Sequence, residues 1–138
     1  MPCPRSSVPA RWSTPSSRRS LSHPAYLTSV YILRGSRPQG VILQHAPRRR
    51  RLSDFPTMQA PTAASEIHLI ETFADTRVIG VTLNHENMSV AEVDLAVDEY
   101  RAELGVPVTD ALLRPPRELV DMVVAAFPAL EEQLTAVV

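Results

Sequence analysis

Three short runs of aliphatic and β-branched residues, GVILQH at 40–45, RVIGVTL at 77–83 and VPVT at 106–109, stand between stretches whose apolar residues recur every three or four positions. A continuous run of this kind, bounded by turn residues, reads as a strand covered on both faces, and the intervening stripes read as amphipathic helices. Helix and strand alternate through the chain in the order of a parallel sheet with crossover helices on its faces. The expected fold class is α/β, a partial parallel sheet of about three strands. So small a sheet leaves an edge without a partner, because nothing upstream of residue 40 supplies a strand for it. The domain is therefore expected to be incomplete, or completed by a second copy or a missing N-terminal portion.

The helices differ in how firmly the sequence marks them. Tyr26, Val30 and Leu33 make a stripe over residues 24–34 that ends on Gly35. Ser65 is placed to cap a helix over residues 66–74, with Ile67, Ile70 and Ala74 facing inward. Ser89 and Glu92 form an S-x-x-E capping box, and Met88 is placed to staple onto Val93. The helix they open carries Val90, Val93, Val97, Tyr100 and Leu104 on one stripe and stops at Gly105. Pro115 and Pro116 start a last helix, with Leu119, Val120, Val123 and Phe127 inward. Residues 46–64, with four consecutive arginines and three prolines, read as a long loop. Residues 1–19 combine Pro, Ser and Arg with little apolar periodicity and are expected to be a disordered extension or a misassigned start. The domain then covers 20–128, and 129–138 is expected to be a helical tail.

Charge divides the chain in two. Residues 1–56 hold ten of the 14 basic residues and one acid, Asp54, whereas 57–138 hold the other 14 of the 15 acids. Every basic residue is Arg, and no aromatic residues interleave the run at 48–51, which argues against nucleic acid as a partner. No apolar run approaches the roughly 18 residues of a membrane span, and the N-terminus has no apolar secretory core, so a cytoplasmic protein without a membrane partner is expected. One cysteine, Cys3, allows no disulfide framework. His23, His45, His68 and His85 lack the short spacing of a chelating motif, so no metal site is expected.

Four segments, RSLSHPAY, LRGSRPQGVILQHAP, FADTRVIGVTLNHENMS and ELGVPVTDALLRPPRELVDMV, resemble in their order one family, the D-glutamate N-acetyltransferase-like proteins. That family was long described only as a domain of unknown function, often under an epimerase/dehydratase name. The resemblance runs from about residue 20 to 127 and concerns the C-terminal half of the family's P-loop-like C-terminal domain. It implies acetyl transfer from acetyl-coenzyme A to D-glutamate in intact relatives, with acetyl-coenzyme A or a nucleotide as ligand; the residues themselves assign no cofactor. Family members carry a Gly-rich loop with a Lys upstream of this region, and a Gly-Gln-Gly-type lead where Ser17, Arg18 and Arg19 stand here. A phosphate cradle needs small residues and free backbone N–H groups at a helix start. This sequence has four glycines, none so spaced, and no lysine. A C-terminal fragment, inactive by itself, is the expectation; the alternative is a non-catalytic α/β module that associates through its unpaired sheet edge.

Each candidate site residue carries a plainer reading beside the functional one. Ser22 and His23 match the segment that lines the ligand cleft in the family, while a Ser before a helix is commonly a cap. His45, Asn84 and Asp110 follow the three strands, and carboxyl ends of parallel strands are where open α/β sheets bind ligands. The plain readings are a solvated His45, an Asn84 that serves a turn, and an Asp110 that caps the next helix. Arg48 follows the His-Ala-Pro turn and is suited to phosphate by its guanidinium fork, though runs of arginine are commonly solvated.

Overall fold

The computed structural model describes residues 21–24 and 28–130. The expectations for residues 1–19, for Tyr26 and for 131–138 of the tail lie outside the described residues. The order is α1 (Thr28–Ser36), β1 (Val41–His45), β2 (Arg51–Leu52), β3 (Phe55–Gln59), α2 (Ala63–Ala74), β4 (Val78–Leu83), α3 (Val90–Leu104), β5 (Val108–Asp110) and α4 (Arg117–Ala126). Strands β1, β4 and β5 form a parallel sheet in the order β1-β4-β5, and β2 and β3 form a separate antiparallel hairpin.

Side chains alternate across a strand, which assigns the two faces of the sheet. Leu43 and His45 of β1 lie beside Val81 and Leu83 of β4. On this face Val81, Leu83, Val93, Ala96, Val97 and Val108 make the buried core, with Ile67 of α2 and Tyr100 of α3 packed against it. Burying each of the Val and Leu side chains among them stabilises the fold by about 1.5–3 kcal/mol. On the opposite face, Gly80 leaves room for Met122 of α4: a Cβ at Gly80 would stand 2.0 Å from the Met122 sulfur. Ile42 and Gln44 share that second face, lying beside Gly80 and Thr82, but both are exposed.

The best-marked helix forms as its sequence dictates. Ser89 accepts from the Glu92 N–H and the Glu92 side chain accepts from the Ser89 N–H, while Gly105 closes α3 at φ 66°. Elsewhere local signals were outweighed. Helix α2 begins at Ala63 because Thr62, not Ser65, is the cap: Thr62 Oγ1 accepts from the Ser65 N–H at 3.2 Å. Helix α1 runs past Gly35 to Ser36, and Arg37 takes the left-handed turn at φ 48°. The expected loop at 46–64 contains the β2–β3 hairpin, hidden in the sequence because Pro56 cannot donate to a ladder. Strand β1 is covered on one face only, and it is β4 that is buried along nearly its whole length. Met122 is the buried residue of α4 while Val120 is half-exposed, and Val90 on α3 is exposed.

Candidate functional site

Parallel strands end on the same side of a sheet, so the ends of β1, β4 and β5 bring His45, Asn84, His85 and Asp110 into one row. The Asn84 N–H donates to the His45 carbonyl at 2.8 Å, which extends the ladder one step past both strands. Asp110 is paired in register with Leu83.

His45 has both ring nitrogens engaged. Nε2 lies 3.1 Å from the Pro61 carbonyl, and Nδ1 lies 2.8 Å from the Tyr100 hydroxyl. A carbonyl only accepts, so Nε2 carries the hydrogen, and in the neutral ring Nδ1 then accepts from the Tyr100 hydroxyl. Burial first, then the nearby Glu103 and Glu99 carboxylates, push the Tyr100 phenol up to about 12. It therefore remains protonated, as a donor must.

Asn84 accepts the Glu86 N–H on its side-chain oxygen at 3.2 Å, a local turn bond of the kind its plain reading describes. Asp110 is fully buried. One carboxylate oxygen accepts from the N–H groups of Leu112 and Leu113, each at 2.9 Å. The other lies 2.7 Å from Nδ1 of His85. Burial pushes the Asp110 carboxyl up, but the N–H groups of Leu113 and Leu112 and the His85 ring outweigh it and hold the group below the ordinary Asp range.

A second cluster ties the 21–24 segment to α2. The buried Glu66 accepts from the Leu21 N–H at 3.1 Å and from the Ser22 hydroxyl. His23 is buried, its ring edge-on to Phe55 with 5.5 Å between centroids and its Nε2 3.9 Å from Asp54. Ser22 thus helps anchor the segment, and His23 packs beneath the hairpin.

The arginine run is largely paired. Arg48 donates to Glu92, Arg49 to Glu86, and Arg51 to the Thr57 carbonyl at 3.1 Å. Two cavities flank His45. One, of about 370 Å³, is lined by Leu33, Leu43, His45, Glu66, Ile70 and Asn84 among others. The second, of about 510 Å³, is lined by His45, Tyr100, Arg49, Arg50, Arg51 and Thr62 among others. Of the six sequence candidates, His45 and Asn84 line these cavities, whereas Ser22, His23, Arg48 and Asp110 do not.

Tyr100, Glu66 and the His85–Asp110 pairing are features that the sequence candidates leave out. Tyr100 reads only as a core position on its stripe, and Glu66 as a first-turn acid. His85 and Asp110 are joined by the sheet across 25 positions, and no local pattern announces such a pair. Among the described residues, no group of three His, Cys, Asp or Glu side chains is arranged to hold a metal ion. No helix among them is long and apolar enough to cross a membrane.

Comparison with known proteins gives a consistent set of likenesses. The family model described as the P-loop domain of a domain of unknown function, DUF1611_C, matches residues 16–120. A D-glutamate N-acetyltransferase of Pseudoalteromonas sp. is 28% identical over 120 residues, covering 83% of this chain and 35% of the relative. A D-glutamate N-acetyltransferase of Tritonibacter scottomollicae is 22% identical over 120 residues, with 83% and 36% covered. The crystal structure of a DUF1611 family protein from Anabaena variabilis matches with a TM-score of 0.70 and 26% identity, over 75% of this chain and 32% of that one. The chain thus spans about a third of the length of the proteins it matches.

Proposed function

The chain belongs to the DUF1611 family through its C-terminal P-loop domain, and we propose that it is the strand-end part of a D-glutamate N-acetyltransferase-like cleft that holds ligand without turning it over alone. The observation that carries this reading is the row of polar groups at the three strand ends, of which His45 opens onto a cavity of about 510 Å³ walled by arginines and, with Asn84, onto a second of about 370 Å³. Acetyl transfer to an amine needs a base for the ammonium proton and donors for the thioester oxygen. It also needs a seat for the coenzyme phosphates. Four glycines without cradle spacing, and no lysine, supply no such loop within these 138 residues.

In this proposal His45 and Asn84 line the ligand cavity, and Ser22 and His23 support its wall through Glu66 and the hairpin. Arg48 meets an anionic group by exchanging its Glu92 partner, and Asp110 acts through His85. Acetyl-coenzyme A is an intracellular acyl donor, so the reading carries a cytoplasmic location. The test is an amide NMR titration of the chain with D-glutamate and, separately, acetyl-coenzyme A. Shifts centred on 45–50, 84–85 and 110 are expected; shifts confined to other regions, or none at saturation, sink the proposal.

A second reading is favoured by the outer edge of β1. Val41 and His45 spend their peptide groups on β4, and in a parallel ladder the alternate residues Ile42 and Gln44 turn theirs the other way. No described strand pairs with that edge, so the chain docks there on another copy or another chain. Light scattering is expected to give a mass above 15.2 kDa; a monomer at all concentrations contradicts it.

A further inference from the structure

We propose that His85, oriented by Asp110, is the proton-accepting catalytic residue of the strand-end site. The Asp110 carboxylate is fully buried and holds a fixed position through two backbone N–H groups and one ring nitrogen. An ionised carboxylate only accepts, so in the neutral imidazole the hydrogen sits on Nδ1, between ring and carboxylate. The lone pair is thereby assigned to Nε2. No described residue bonds that nitrogen, and the His85 side chain is 31% exposed. A buried carboxylate that sets one tautomer and steadies the ring once it gains a proton is how a histidine is made a general base.

His45, the other strand-end histidine, has no such freedom, because Pro61 and Tyr100 occupy both nitrogens. His23 is buried against Phe55. His68 lies exposed within α2. Of the described histidines, His85 alone combines a strand-end position, a fixed tautomer and an unbonded acceptor on a partly exposed ring.

The substrate class rests on the acetyl-transfer reading above. A primary amine enters as an ammonium ion and gives one proton to Nε2, which frees its lone pair. That lone pair forms the N–C bond to the thioester carbonyl. As the C–S bond breaks, the second amine proton passes to the leaving sulfur, and His85 releases the first to solvent. One amide, one thiol and one proton result. Asp110 exchanges no atom with substrate and is a positioning residue.

The experiment uses the whole chain and an activated ester, p-nitrophenyl acetate, so that neither coenzyme nor D-glutamate is needed. Here Nε2 takes a proton from the attacking water while nitrophenolate leaves. His85→Gln, at a partly exposed position and still able to donate to Asp110, is expected to lower hydrolysis by about 10²-fold, the lower end of general-base contributions. His68→Ala is expected to leave the rate unchanged. Asp110→Asn turns an N–H toward Nδ1 and is expected to remove the same share of the rate. Imidazole nitrogen NMR of that variant is expected to show the hydrogen of His85 moved from Nδ1 to Nε2, which ties the loss of rate to the lost lone pair on Nε2 and not to loss of the fold. An unchanged rate in His85→Gln overturns the proposal, as does an unchanged tautomer in folded Asp110→Asn. If His85 carries the ester reaction but the D-glutamate titration shows no binding, the base stands and the acetyl-transfer reading falls.

Discussion

Asp110→Ala is expected to lower the unfolding free energy by about 3 kcal/mol at neutral pH. The carboxylate is fully buried, and its loss leaves the N–H groups of Leu112 and Leu113 without their acceptor and His85 without its anchor. Hydrogen bonds to a charged group contribute about 1.5–3 kcal/mol each, partly offset here by relief from burying the charge. In a domain whose whole stability is about 5–15 kcal/mol, a change of that size is plain in a urea unfolding midpoint. Asp110→Asn keeps an oxygen for the two N–H groups and is expected to cost less.

The pH dependence follows from the sign of the shift. The folded-state value of Asp110 lies below its unfolded one. Its contribution is therefore fully present above the unfolded value, near pH 3.9, and is lost as pH falls through the folded value. Glu92 shifts in the same direction, chiefly through the Ser89 N–H of the capping box. Acid unfolding should accordingly steepen below about pH 4, and the slope should be shallower in Asp110→Asn. An acid limb identical in wild type and variant contradicts this account of the site.

How much of this was legible in the sequence varied with the range of the interaction. The three strands and the alternation of helix and strand were written locally, as was the Ser89–Glu92 box, because periodicity and capping depend on neighbours a few positions apart. The β2–β3 hairpin was not, since β2 is two residues long and Pro56 stands in β3. The Thr62 cap was masked by Ser65, the commoner capping residue three positions on, whose own N–H is spent on Thr62. At the site, the strand-end positions of His45, Asn84 and Asp110 were legible because strand ends are. Their partners were not: Tyr100 reaches His45 from 55 positions away, and Glu66 reaches Ser22 from 44. Such pairs exist only once the sheet has set the register, and they divide residues that line a cavity from residues that support them.

Under the proposed function, these 138 residues carry the strand-end half of an acetyl-transfer site without the loop that seats the coenzyme phosphates. The most direct measurement is acetyl transfer from acetyl-coenzyme A to D-glutamate by the purified chain. Product formation at the rate of the enzyme-free control is expected. Turnover on the order of 1 s⁻¹ or faster, the ordinary range for enzymes, that is abolished by His85→Gln would contradict it.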